Sequence, residues 1–278
     1  MQHRAPSRVV SAAPSRRLLL AGLGGLLATP VAARAIPSAA EQVWLAYEAR
    51  LRARVADAGG GAFQAASERE LLSLTNAARS AVGAPVLTWN GELARVARSH
   101  AADLAARGYV EHLSPEGFDP SHRVGLLARR MIGSASENIA YRRAEQVADA
   151  GELMGIWRRS SSHWSNLLRP RYAQAGFGVV VRGQKTYAVG LYARPDGALG
   201  APLPFRLAQE GDLVSAVREA SPAFDGFALA DPLNPSAWAR VDGEDGGPLP
   251  PGIYQLRPRR RVSRVRYEVL WGPIFARV

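Results

Sequence analysis

Apolar residues recur along this chain with two different periods, and the change from one to the other marks the fold class. Between Glu41 and Asp57 the residues Trp44, Tyr47, Leu51 and Val55 return at spacings of three and four, the period of a helix with one buried face. Gly59-Gly60-Gly61 then reads as a flexible break. Ser67-Glu68-Arg69-Glu70 has the form of a capping box, with the Ser67 hydroxyl accepting from the Glu70 amide. A helix is expected from there to about Val82, burying Leu71, Leu74, Ala78 and Val82 and stopping at Gly83. Asn90 is a good cap for a further helix that runs to about Arg107, ahead of Gly108, with Leu93, Val96, Ala97, Ala101 and Leu104 as its stripe. His100 lies on the same face and is read as a core histidine satisfied by a hydrogen bond rather than as a ligand.

From Val110 to Ser136 turn formers dominate: Ser114-Pro115, Gly117, Asp119-Pro120, Gly125 and Gly133. A long irregular stretch inside a domain is often functional, and His122, beside Pro120-Ser121, is expected at the surface there. Ala148 to Arg158 predicts a helix weakened by Gly151 and Gly155. The period then becomes two: Ala173 to Val181 and Lys185 to Tyr192 are β-rich and joined by Arg182-Gly183-Gln184, a hairpin signal. Helices set before such a hairpin argue for an α+β fold. Beyond Pro195 prolines break the chain into short pieces. Gly252 to Leu256 and Arg266 to Trp271 look like strands, with Arg257, Arg259, Arg260, Arg261, Arg264 and Arg266 crowded between them. A solvated hairpin face is the preferred reading of those arginines, ahead of an anion-binding patch.

Composition changes this picture mainly at the N-terminus. The chain has 278 residues, a formal net charge of +11 and no cysteine, so it is expected to fold without disulfides. Residues 1–35 read as an export signal. Ser15-Arg16-Arg17-Leu18 is a twin-arginine pattern, followed by an apolar run to Ala33 that Gly22, Gly24, Gly25 and Pro30 interrupt, with Ala33-Arg34-Ala35 as a cleavage site. That run is short for a membrane span, so the mature protein is expected to carry no transmembrane segment and to be periplasmic or secreted. Removing Arg4, Arg8, Arg16, Arg17 and Arg34 leaves about +6 (11 − 5). An exported chain of that charge with scattered arginines lacks the basic stripe of a nucleic-acid binder.

Candidate chemistry gathers in three polar clusters: Glu111-His112-Leu113-Ser114-Pro115-Glu116-Gly117, Ser136-Glu137-Asn138-Ile139-Ala140, and Trp157 to Asn166 around His163. Two imidazoles and a carboxylate are the usual makings of a divalent-metal or acid/base site. The histidines are 51 residues apart (163 − 112), so only tertiary folding could unite them.

These clusters resemble the motifs of the CAP superfamily, which includes cysteine-rich secretory proteins, venom antigens and plant pathogenesis-related proteins. Leu74-Thr75-Asn76-Ala77-Ala78-Arg79 is similar to the first-helix signature of that family, Leu87 to Leu93 to its second-helix opening, and Gly176 to Val180 with Tyr187-Ala188-Val189 to its closing strands. The resemblance runs over roughly residues 67 to 193. It implies a three-layer α-β-α sandwich over residues 67–198. Residues 36–66 would be a preceding helix and linker, and residues 199–278 a β-rich C-terminal extension of unassigned role.

Carried over by motif, the resemblance makes His112, His163 and Glu137 the cleft residues. A weakly held zinc or other divalent cation is the implied cofactor, and Glu137 often acts through water in this family. Its fourth cleft member, an acid, falls on Ser160, so the constellation is incomplete. Asn138, Asn166 and Arg123 are expected to orient those groups. Three functions stay open: a binding module for a lipid or cell-envelope component, ranked first; a metal-dependent hydrolase of peptide or cell-wall bonds with Glu137 as catalytic base; and a noncatalytic interaction protein using its C-terminal segment. Whether the chain is an enzyme is left open by its sequence, and so is its oligomeric state.

Overall fold

The computed structural model describes residues 38–241 and 248–278; the expected export signal, residues 1–35, lies outside them. Helix α1 (Ala39–Asp57) is capped by Ser38, whose hydroxyl accepts from the Glu41 amide while the Glu41 carboxylate accepts from the Ser38 amide. Trp44, Tyr47 and Leu51 are buried, as their spacing predicts. The glycines after it are no flexible break. Ala58–Gly60 is a 3₁₀ turn packed on the next layer, and a Cβ at Gly59, which has φ of 64°, would collide with the Ala102 carbonyl.

Helix α2 (Ala65–Ser80) begins at Gln64, with no side-chain cap, so Ser67 sits inside the first turn and caps nothing. The start is set by pairing: strand β1 (Ala62–Phe63) is bonded to β5 (Gln174–Arg182), and the chain turns helical directly after it. Glu68 is the buried partner in that turn, accepting from Arg98 and from the Val179 amide. Val82 lies beyond the helix end and is exposed, against the expectation that it is buried. Helix α3 (Gly91–Arg107) opens as predicted: the Asn90 side chain accepts from the Glu92 and Leu93 amides at 2.8 and 3.0 Å, and Gly108 closes it with φ of 73°.

The central sheet runs β1-β5-β6-β4, with β6 at Lys185–Ala193 and β4 at Ala135–Arg143, and β2 (Thr88–Trp89) pairs β5 in parallel. Alternate side chains point to opposite faces. Phe177, Val179, Ala188 and Tyr192 pack with Leu71 of α2 and with Leu153 and Trp157 of α5 (Ala150–Arg159). Val180, Tyr187, Val189 and Leu191 pack with Leu93, Val96 and Ala97 of α3, with α1 in the same cluster. The domain is therefore α+β, an α-β-α sandwich. Gly176 and Gly178 let α3 lie directly on β5, because a Cβ at either would strike the helix backbone at Ala94 or Arg98.

The turn-rich stretch holds an element that the sequence reading missed, α4 (Pro120–Leu127). Asp119-Pro120 reads as a turn but is a helix start, with aspartate as cap and proline in the first turn, where its missing N–H costs nothing. His122 is consequently not at the surface; its ring is partly buried and packs edge-on against Trp44 and Phe118. The short α6 (Ser161–Leu167) follows α5 from a cap at Ser160.

Strands β3 (Met131–Ile132) and β7 (Gly197–Ala198) pair antiparallel and lead into the C-terminal segment. There β8 (Arg206–Leu207), β9 (Gly226–Ala230), β10 (Trp238–Val241), β11 (Gly252–Arg261) and β13 (Ile274–Arg277) form a sheet in the order β10-β9-β11-β13-β8. Strand β12 (Tyr267–Val269) pairs β11, and α7 (Glu210–Arg218), unpredicted, adds Leu213 and Val217 to a core with Phe227, Leu256 and Phe275. Ile274, Ala276 and Phe205 belong to the same core as α3 and α4, so the segment is fused to the sandwich. Arg257 departs from the expected solvated face: it is buried, with its guanidinium 3.9 Å from the Trp271 ring and its Nε donating to the Leu270 carbonyl. No helix among the described residues is long and apolar enough to cross a membrane.

Candidate functional site

Three side chains, those of His112, Arg123 and His100, surround the Glu137 carboxylate. Glu137 sits on β4 with its side chain only 2% exposed. Its Oε1 is 2.8 Å from His112 Nδ1, and Arg123 Nη2 donates to both carboxylate oxygens at 3.1 Å. His100 Nε2 stands 3.9 Å from Oε1. Burial pushes the Glu137 pKa up, but Arg123, His100 and His112 together outweigh it and bring the group down to about 2. Glu137 is thus a carboxylate at any ordinary pH and can only accept.

That fixes the tautomer of His112. With Nδ1–H donated to the carboxylate, the ring's remaining lone pair is on Nε2, and the side chain is half exposed. The Glu137 hydrogen bond raises the His112 pKa, with burial opposing. Arg123, wholly buried on α4, also donates to the His112 carbonyl at 2.8 Å and to the Phe118 carbonyl at 3.1 Å, so one guanidinium holds both the loop and the acid.

His163 is brought to the same side by α6 without touching the pair. Its backbone carbonyl accepts from Asn138 Nδ2 at 2.9 Å, and Asn166 Nδ2 donates to Asn138 Oδ1 at 2.9 Å. Asn166 Oδ1 in turn accepts from Ser136 and Tyr172, so this amide network ties β4 to α6. The ring is partly buried, and its Nδ1 has no hydrogen-bond partner. Burial lowers its pKa, and the nearby His112 lowers it further. Ser160, where the resemblance leads one to expect an acid, caps α6 through its contact with the His163 amide at 3.5 Å. Among the described residues, no group of three or more His, Cys, Asp or Glu side chains is arranged to hold a metal ion.

His100 is a core histidine, as read from its stripe: fully buried, with Nε2 donating to the Glu111 carbonyl at 3.1 Å. Burial, joined by Arg123, takes its pKa down to about 3, so the ring is neutral. Sequence reasoning missed the support given by α1. Tyr47 stacks on Phe118 with ring centroids 4.3 Å apart, and its buried hydroxyl lies beside Arg123 and Ser114. The periodicity showed that Tyr47 is buried but carried no sign of what it packs on. Beside His112 an open depression of about 510 Å³ is lined by Tyr109, Glu111, His112, Leu113, Ser114 and Pro115.

The first-helix motif has its own task. Arg79 donates to the carbonyls of Pro85, Leu167, Arg169 and Tyr172, while Asn76 exchanges two hydrogen bonds with the Leu87 backbone. The buried Arg79 thereby pins the loop that follows His163. The family model described as Cysteine-rich secretory protein family (CAP) matches residues 72–192, a stretch that holds these motif residues. Residues 72–192 form a CAP domain.

Two Bacillus subtilis proteins are similar in sequence to part of this chain. YkwD, described as uncharacterized, is 30% identical over 121 residues, covering 42% of this chain and 44% of YkwD. YlbC, described as an uncharacterized membrane protein, is 31% identical over 122 residues, covering 42% of this chain and 32% of YlbC. The chain therefore spans less than half the length of these curated relatives. Among solved structures, an extracellular SCP-domain protein of Bacillus anthracis is 27% identical with a TM-score of 0.40, covering 47% of this chain and 41% of that one. An outer surface protein of Borrelia burgdorferi is 17% identical with a TM-score of 0.44, covering 49% of this chain and 99% of that one.

Proposed function

We propose that this CAP-domain protein is an exported binding module whose cleft takes a lipid or cell-envelope component, with His112 and His163 able to hold a divalent ion weakly. The observation that carries this reading is the state of Glu137. Its oxygens are engaged by His112 and Arg123, and its pKa of about 2 makes it a poor proton acceptor near neutral pH. The hydrolase alternative asks Glu137 to deprotonate water, which its engaged oxygens disfavour, so Glu137 is assigned an orienting role instead.

A carboxylate that fixes one imidazole nitrogen so that the other can meet a metal is a recurring arrangement, and zinc suits imidazole donors. His112 Nε2 and a nitrogen of His163 would be the protein ligands, and water would complete the shell. Two neutral imidazoles give a weak site, whose occupancy follows the available metal. Export by the twin-arginine route belongs to the same proposal and rests on residues 1–35.

The test is capture of envelope material. The full chain and its His112→Ala/His163→Ala variant are incubated with isolated envelope lipids and wall fragments, and bound and cleaved species are read by mass spectrometry. Enrichment of one uncleaved class by the parent and its loss in the variant supports a binding cleft. Cleavage products made by the parent and lost in the variant, or equal enrichment by both proteins, overturn it.

A further inference from the structure

The C-terminal segment carries a surface that the cleft does not use. Strands β11 and β12 form a hairpin whose tip, residues 262–266, is closed by Val262 and Ser263 amides donating to the Arg266 carbonyl at 3.0 and 3.2 Å. Val265 at this tip is 94% exposed and Val262 is 52% exposed. Arg261, Arg264 and Arg266 surround them, and no acid occurs between Arg257 and Arg266. Neither Arg264 nor Arg266 meets a carboxylate among the described residues, while Arg260 is paired with Glu268.

An arginine–aromatic ladder runs along the hairpin below the tip. Arg259 and Arg261 lie over Tyr267 at 5.4 and 5.0 Å, and Arg257 lies over Trp271 at 3.9 Å and Trp238 at 5.7 Å. Tyr267, Trp271 and Trp238 are themselves partly open to water.

We propose that this hairpin docks on an anionic phospholipid surface, with Val262 and Val265 entering the interface and Arg261, Arg264 and Arg266 facing headgroup phosphates. The pairing of features decides the partner. Unpaired arginines alone would suit any polyanion, but valines thrust into water at a cationic tip are rewarded only where an apolar layer lies just beneath the charge. Tyrosine and tryptophan at the base suit the headgroup level, where an amphipathic ring is at home.

The test is co-sedimentation of the full chain with vesicles of phosphatidylglycerol and phosphatidylcholine in equal parts, and of phosphatidylcholine alone. Any binding through the N-terminal apolar run is shared by every variant, so differences between variants report on the hairpin. Each arginine facing an anionic leaflet is worth roughly fivefold in binding. Arg264→Gln/Arg266→Gln should therefore weaken binding to the anionic vesicles by about twenty-five-fold, with little change on phosphatidylcholine. Val262→Ser/Val265→Ser, which leaves the charge unchanged, should weaken it at least about tenfold, and the exposure of all four positions leaves thermal melting unchanged. Parent-like binding by either variant overturns the proposal. A valine variant that binds like the parent while soluble polyphosphate competes the protein off the vesicles identifies a polyanion surface instead, and equally overturns it.

Discussion

Arg123 and Glu137 form a buried ion pair in which one guanidinium nitrogen serves both carboxylate oxygens at 3.1 Å. Removing one partner of such a pair leaves the other charged and out of water. Arg123→Met should therefore lower unfolding stability by about 3–5 kcal/mol in urea denaturation. A loss under about 1 kcal/mol would mean that the pair is solvated and the cleft loose. Because the folded Glu137 pKa is depressed, its contribution is complete above the unfolded carboxylate pKa near 4.5 and is lost as pH falls toward about 2.

Helix capping separates two positions that look alike in sequence. Asn90→Ala should cost about 0.5–2 kcal/mol, since two amides lose their acceptor, whereas Ser67→Ala should leave the urea midpoint almost unmoved. Matching losses for both would put the α2 start back at Ser67.

Acid should destabilise the fold through His100. Its folded pKa of about 3 lies below the unfolded value near 6.5, so its contribution is full above 6.5 and declines as pH falls toward about 3. His112 runs the other way: raised by Glu137, it contributes fully below 6.5 and loses that contribution as pH rises through its folded value. Proton NMR should show the His100 ring still neutral at pH 5 while His112 titrates above 6.5. A His100 resonance titrating near 6.5 would contradict the burial.

The contact of α3 with β5 leaves no space at Gly178. Gly178→Ala should destabilise by at least about 1–3 kcal/mol, the usual cost of overpacking, since the obstacle is helix backbone at Ala97 and Arg98 that cannot rotate away. A melting temperature equal to the parent's would show that α3 lifts freely.

Much of this fold could be read in the chain because local signals and packing agree. The Trp44-Tyr47-Leu51 stripe, the Asn90 cap with Gly108 as stop, and the hairpin at Gly183 all act over a few residues, and all stand as read. Errors arose where distant pairing set the local outcome. Strand β1 fixes the start of α2 ahead of Ser67, and Trp44 and Phe118 cover His122. Arg257 is buried because it lies on β11, an interior strand of the C-terminal sheet, with its guanidinium against Trp271. At the cleft, motif wording pointed to His112, His163 and Glu137; the fold joins His112 to Glu137, adds Arg123 beside them, and leaves the His163 side chain apart from the pair. Nothing in the wording signalled that Arg123 and His112 occupy the Glu137 oxygens, because that depends on α4 folding where only turns were expected.

The most direct test of the cleft is a calorimetric titration of zinc into the full chain near pH 7.5. The parent should bind weakly, and less well as pH falls through the imidazole range, because a protonated ring has no lone pair to donate. His112→Ala and His163→Ala should each abolish binding, Glu137→Gln should weaken it about 10–100-fold by freeing the His112 ring, and His100→Ala should leave it in place. A His112→Ala/His163→Ala variant that takes up zinc like the parent would contradict the account.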